Sequence, residues 1–347
     1  MRLNNLLIYF LISFLIGCSD NKIYKQENYI FGTIIGIKIY GESRINAEKV
    51  SNKIFDEFQR LHELLHPWEK SIITDINNAI SKSKSISIDN NEIISILRNA
   101  KYFETQTQSL FNPSIGKLVD LWGFHSNDLN RDKIPNQNKI QELILSKLSM
   151  QSIKIKDKIL TSNNKNVQID LGGYAKGYAL DQAKKILVKN NVKNALINIG
   201  GNILALGRNG EKAWRVGIQN PRKPNVIATI NLEPGWSIGT SGDYQRYIII
   251  DDKRYSHLIN PNTGFPENRT QSATILIPPS KNSSIKSDVF SKPLFIAKIK
   301  NKINIAKSLN INYFLIIMND NSIFISKSMN DKIKWEENID KKNITIF

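Results

Sequence analysis

IDLGGYAKGYALD (Ile169–Asp181) is the stretch on which the reading of this chain turns. Val167 to Asp170 reads as a strand, Leu171, Gly172 and Gly173 as a turn, and the residues after Gly173 as a helix with Ala175, Ala179, Ala183 and Ile186 on its inward face. Two glycines let a backbone approach a ligand closely, and the first amides of a helix attract an anionic oxygen. Lys176 adds a positive charge in that first turn. Strand, glycine pair and helix also describe many turns with a purely structural role. The pattern is neither a P-loop nor a GxGxxG fingerprint.

Working outward, the chain alternates helices and strands without an internal repeat. Tyr29 to Tyr40 reads as a strand interrupted by Gly32 and Gly36. Ala47 to Leu65 reads as a helix with Ile54, Phe58, Leu61 and Leu65 on one face, and Glu92 to Phe103 as a second helix. Asn127 to Asn138 is polar and proline-bearing, a surface connection. Beyond Ile153 short strands become frequent: Ala195 to Ile199, Trp214 to Gln219, Val226 to Leu232, Tyr247 to Ile250, Ala273 to Ile277, Tyr313 to Met318 and Ser322 to Ser326. Further helices are expected around Ser284 to Ala297, with Asp288 on a short helix ending at Pro293, and before Asn310. The fold class is α+β.

The 347 residues carry a formal net charge of +17, yet the lysines are scattered among Asn, Ser and Ile and form no basic stripe with stacking aromatics. Nucleic acid is not an expected partner. At the amino end, Arg2 precedes an apolar run from Leu6 to Ile16 that is too short to span a bilayer. The adjoining LIGC (Leu15–Cys18) resembles a bacterial lipobox, which implies a signal peptide over 1–17 and a lipidated Cys18 holding the protein on a membrane. An ordinary secretory signal is the alternative. Residues 18–28 are then a tether, 29–326 the folded domain and 327–347 a carboxyl-terminal extension. Cys18 is the only cysteine, so no disulfide staples the fold.

Further polar, turn-rich insertions stand between apolar stretches, as in a site assembled from loops on a rigid scaffold. NIGGN (Asn198–Asn202) reads as a tight hairpin. SIGTSGDYQRY (Ser237–Tyr247) offers Thr240, Ser241, Asp243 and Arg246, which a plain polar hairpin would also contain. His257, one of four histidines, stands in SHLINPNTG (Ser256–Gly264), where an imidazole near neutral pKa can relay a proton. With no HExxH, EF-hand or histidine cluster, any metal is a hard cation on oxygen ligands.

FNPSIGKLVDLWGF (Phe111–Phe124), DLGGYAKGYALD, NIGGN, WRVGIQNP (Trp214–Pro221), TSGDYQRY, HLINPNTG and SDVFSKPLF (Ser287–Phe295), in that order, resemble the FAD:protein FMN transferase (ApbE) family from about Tyr29 to Ile317. The resemblance implies a T-fold-related, bilobed α+β fold with FAD between the lobes. It also implies transfer of the FMN half of FAD, with Mg2+, to a Thr or Ser hydroxyl of an extracytoplasmic acceptor protein, a membrane redox-complex subunit, with release of AMP. Hydrolysis of FAD to FMN and AMP, or FAD binding without catalysis by a lipoprotein, remain alternatives in the sequence.

By the same resemblance, His257 is the base for the hydroxyl proton, and the catalytic Asp288 holds the metal with the backbone carbonyl of Ala175. Phe31, Trp68, Leu110, Phe111, Asn112, Gly172, Lys176, Ser241, Asp243 and His257 line the FAD pocket. One departure stands out. Lys292 falls where the family often has Thr, and an ammonium repels Mg2+, so a metal there would take the Lys292 backbone carbonyl, or Lys292 would touch a phosphate directly.

Overall fold

The computed structural model describes residues 23–126, 128–336 and 341–347. The signal segment 1–17, Cys18 and the first part of the tether lie outside the described residues. The chain opens with the antiparallel hairpin β1 (Tyr24–Ile30) and β2 (Thr33–Ile39), so β1 begins inside the stretch read as tether. The single strand expected from Tyr29 to Tyr40 is therefore a hairpin instead. Phe31 and Gly32 both take positive φ (56° and 68°), the conformation of a two-residue turn matched to strand twist, and Phe is an unusual residue to find there.

The first half is mostly helical. It holds α1 (Arg44–Leu65), α2 (Ile72–Ser81), β3 (Ile86–Ser87), α3 (Asn91–Gln106), α4 (Gly116–Trp122) and α5 (Gln137–Leu145), then β4 (Ile153–Lys156) and β5 (Ile159–Ser162). Side-chain caps start several of these helices: Ser43 for α1, a full capping box at Ser71 for α2, Asn90 for α3. α6 (Ala175–Lys189) leads into β6 (Ala195–Ile199), β7 (Asn202–Leu206), β8 (Trp214–Gln219), β9 (Val226–Leu232), β10 (Ser237–Gly242), β11 (Tyr247–Ile250), β12 (Lys253–Ser256) and β13 (Thr270–Ile277). α7 (Ser283–Ile296), α8 (Ile299–Ser308), β14 (Tyr313–Met318), β15 (Ile323–Ile325), α9 (Lys327–Asn330), β16 (Ile333–Trp335) and β17 (Ile344–Ile346) complete it.

A nine-stranded sheet in the order β1-β2-β6-β7-β10-β13-β14-β15-β17 forms the spine, antiparallel except for the last pair. Side chains alternate faces along each strand. Ile197, Ile199, Ile275 and Ile316 join the core that includes α1, α6 and α7, while Leu196, Leu276, Leu315 and Ile317 join a second core with Trp214, Val216, Ile218 and Ile230 of the β16-β9-β8 sheet. Helices thus cover one face and a small sheet the other, a mixed α and β architecture. The carboxyl-terminal stretch contributes to both, since β16 pairs with β9 and β17 with β15.

The structure corrects two further expectations. Val167 to Asp170 is extended but joins no named strand; it runs beside residues 113–116 with one parallel bridge, Ile115 to Gln168, and with Asp170 N–H donating to the Pro113 carbonyl at 2.8 Å. α7 does not end at Pro293 but continues to Ile296, with the proline inside the helix. Burial on nearly every position of α7 outweighs the one lost backbone hydrogen bond.

Candidate active site

The motifs scattered along the chain are bonded to one another. The pairing of residues 113–116 with 167–170 brings Phe111 and Asn112 to the same rim as Gly172 and Gly173. Trp122 donates its indole N–H to the Gly264 carbonyl at 2.8 Å, tying the LWGF turn to the NPNTG turn. Arg246 Nη2 donates to the Phe124 and Ser126 carbonyls at 2.7 and 2.6 Å. Antiparallel pairing of β11 with β12 sets His257 beside Arg246.

Between these segments lies an open cleft of about 1000 Å³, its mouth included. Leu110, Phe111, Asn112, Gly172, Lys176, Ser241, His257, Asp288 and Lys292 line it. A second chamber, lined by Phe31, Trp68 and Ala175, shares Phe124, Asp170, Gly172, Lys176 and Arg246 with the first. A two-chambered cleft suits an elongated ligand with two ring systems. The Phe31 ring sits edge-on to His62 at 5.6 Å and the Trp68 ring lies 5.3 Å from His125, so both aromatics are placed by neighbours at the cleft wall.

Sequence reading overstated two of the residues. Asp243 is buried beneath the loop, where its carboxylate accepts both Arg222 N–H groups at 2.7 and 2.6 Å and does not face the cleft. Asn112 lines the cleft, but its amide donates to the Leu148 carbonyl and its oxygen accepts the Ser114 N–H, so its polar atoms brace the loop. The glycine turn is likewise partly committed: the amides of Gly172, Tyr174, Ala175 and Gly177 are paired with Asp170 Oδ1, the Leu171 carbonyl (twice) and Asp288 Oδ2. The positive charge of the turn therefore rests chiefly on Lys176, which makes no hydrogen bond or ion pair among the described residues.

Thr240 and Arg246, read in sequence only as polar loop groups, line the first chamber with Asp170 and Gln245, and His62 and His66 line the second; none of the six was assigned to the site from sequence. Burial pushes the Asp170 carboxyl upward, partly offset by the Gly172 N–H. Asp170 directly precedes LGG and Arg246 directly precedes Tyr247, both inside the quoted motifs, so position in the motif was the available signal.

His257 is the group best suited to move a proton. Burial holds its pKa down, to about 3, and the neighbouring Lys176, Arg246 and Lys292 push the same way. Its Nδ1 lies 3.0 Å from the Arg246 carbonyl, which can only accept, so Nδ1 carries the hydrogen and Nε2 keeps its lone pair. A neutral imidazole with a free Nε2 is ready to take a proton from a hydroxyl.

Asp288 sits at the cleft floor, 1% exposed in its side chain. Its Oδ2 accepts the Gly177 N–H at 2.9 Å; a side chain at 177 would collide with α7, so glycine is what lets α6 and α7 approach this closely. Its Oδ1 and its backbone oxygen accept Lys292 Nζ at 2.6 and 2.7 Å. Ser291 Oγ donates to that same backbone oxygen at 2.8 Å and accepts from Ser241 Oγ at 2.7 Å. Burial pulls the Lys292 ammonium below the ordinary lysine range while Asp288 holds it up. These residues do not fit a resident divalent ion: the Asp288 oxygens are already engaged, one of them by a cation, and no second carboxylate, histidine or cysteine completes a cluster of three among the described residues.

Two adjoining chambers, one ammonium (Lys176) where they meet, a second (Lys292) in the first chamber and a neutral imidazole beside it suit a dianionic dinucleotide and a hydroxyl activated against it. Comparison with known proteins agrees. The ApbE family model matches residues 31–315. A FAD:protein FMN transferase of Rhodobacter capsulatus is 30% identical over 90% of this chain, which spans 59% of that protein's length, and one of Haemophilus influenzae is 28% identical, covering 89% of this chain and 90% of its own. The crystal structure of the ApbE protein from Thermotoga maritima superposes with a TM-score of 0.81 at 27% identity, over 90% of this chain and 99% of that one. The flavin transferase ApbE of Vibrio cholerae, at 22% identity and a TM-score of 0.76, has the same fold. The chain belongs to the ApbE family.

Proposed function

We propose that this protein transfers the FMN half of FAD onto a Ser or Thr hydroxyl of an extracytoplasmic acceptor protein, a subunit of a membrane redox complex, releasing AMP. It is a FAD:protein FMN transferase, and FAD is its substrate. The observation that carries the chemistry is the neutral His257 with its free Nε2, on the wall of the cleft that also holds Lys176 and Lys292.

The acceptor hydroxyl oxygen bonds to the FMN phosphorus, the bridging P–O bond breaks, and its electron pair leaves with AMP. The hydroxyl proton passes to His257 Nε2. Phe31 and Trp68 give one ring system an apolar wall, Leu110 and Phe111 the other, and close positioning of the two reactants supplies much of the rate. The Mg2+ implied by the family resemblance has no free ligand set at Asp288, so no step is assigned to it. Anchoring through a lipidated Cys18 would keep the enzyme on the membrane surface where such acceptors lie; what supports it is the Leu15–Cys18 motif after an apolar run.

Incubation with FAD and an acceptor domain, followed by mass spectrometry of the acceptor and measurement of AMP, tests the reading. Wild-type protein should add FMN to the acceptor with matching AMP. AMP with free FMN and an unmodified acceptor would instead show hydrolysis, and intact FAD mere binding. His257→Asn should lose about 10²- to 10⁴-fold in transfer while keeping FAD affinity, the range for removing a positioned base; near-normal turnover would take His257 out of the reaction.

A further inference from the structure

We infer that the Lys292 ammonium is this enzyme's built-in cation, taking at the FAD diphosphate the place a divalent ion would occupy, so that FAD binds and reacts without magnesium. This rests on the flavin-transferase reading above and adds to it the source of positive charge.

Four observations converge. Lys292 Nζ lies 2.6 Å from Asp288 Oδ1 and 2.7 Å from the Asp288 backbone oxygen, so it holds the oxygens a hard cation would need. The other carboxylate oxygen is taken by the Gly177 N–H. The lysine stem is seated on the glycine turn: Lys292 Cε lies 2.7 Å from where a Cβ at Gly173 would stand, with the Phe111 ring at 3.3 Å from the same point. Finally, an ammonium has three donors, and Lys292 uses two; the third has no protein partner among the described residues, in a side chain only 13% exposed that lines the cleft.

A donor left over in so enclosed a place has a ligand oxygen as its natural partner. Lys176 lines the same cleft from the first turn of α6, so two ammonium charges meet the two negative charges of a dinucleotide's diphosphate. As the bridging P–O bond breaks, negative charge grows on the AMP phosphate, and a fixed ammonium stabilises it without any ion being recruited. Asp288 then orients Lys292 and is a positioning residue.

Flavin fluorescence titration and AMP release, each measured in EDTA and again in excess Mg2+, test this with the full mature protein. The expected result is wild-type FAD affinity within about threefold between the two conditions, with acceptor labelling persisting in EDTA, and no tightly bound Mn2+ by electron paramagnetic resonance when FAD is present. Lys292→Thr removes the ammonium and offers a hydroxyl; it should bind FAD at least tenfold more weakly in EDTA and recover when Mg2+ is added. Wild-type binding and AMP release that collapse in EDTA and return with Mg2+, or a Mn2+ signal from a tightly held ion, would overturn the inference while leaving the transferase reading intact. Failure of wild-type protein to bind FAD under either condition would overturn both. Should the variant fail to fold, the wild-type EDTA and Mn2+ arms decide alone.

Discussion

Two buried lysines, ten residues apart, do opposite jobs. Lys302 on α8 is fully buried, and its ammonium donates to the carbonyls of Leu294 and Phe295 and to Thr270 Oγ1, so all three donors are spent on the last turn of α7 and the strand beside it. Lys292, within α7, spends two donors on Asp288 and faces the cleft with the third. Burial lowers the pKa of both. What separates a structural ammonium from a functional one is therefore the count of satisfied donors and not depth: a saturated lysine holds the scaffold, and one with a donor to spare is waiting for a partner.

The sharpest way to break this contrast is to make the same substitution at both places. Lys292→Met should cost about 10²- to 10³-fold in transfer rate per folded molecule, the usual effect of deleting one preorganised donor at developing negative charge. Lys302→Met should do the reverse. It leaves the Leu294 carbonyl without its ammonium donor, while Thr270 Oγ1 still donates to the Phe295 carbonyl, and costs on the order of 2 kcal/mol, read as a fall of a few degrees in calorimetry, while activity per folded molecule persists. Equal activity losses at the two sites would dissolve the distinction.

A smaller effect concerns pH. The folded pKa of His257 is about 3, below the ordinary 6.5 of an unfolded histidine, so the unfolded chain binds more protons between those values. Stability contributed by this neutral, buried imidazole is complete above about pH 6.5 and declines as pH falls toward 3. The base form persists through the same window. The pH–rate profile of transfer should accordingly show no acid limb near 6.5; a limb there, absent in His257→Asn, would mean that the imidazole is solvated in the working enzyme.

Much of the site was legible because it is built from short motifs whose residues meet in space. Leu110, Phe111, Gly172, Lys176, Ser241, His257, Asp288 and Lys292 all line one chamber, and Phe31, Trp68 and Ala175 the adjoining one. Strands β6, β8, β9, β11 and β14 begin and end where alternation and apolar runs place them. Other features were hidden for identifiable reasons. Asp243 looks like a ligand residue in sequence, and only the fold shows that Arg222, twenty-one positions earlier, claims it. The Asp288–Lys292 pair stands at i, i+4, a spacing that reads as a salt bridge on any helix; assigning Asp288 to a metal and Lys292 to a carbonyl ligand or a phosphate passed over it. The β1–β2 turn escaped because it puts a phenylalanine where glycine or asparagine is usual.

The most direct test of the whole account is a crystal structure of the protein grown with FAD. The account predicts flavin and adenine in the two chambers, diphosphate oxygens within hydrogen-bond reach of Lys292 Nζ and Lys176 Nζ, and His257 Nε2 facing the FMN phosphorus. FAD bound with its diphosphate away from both lysines, or a cleft left empty at saturating FAD, would contradict it.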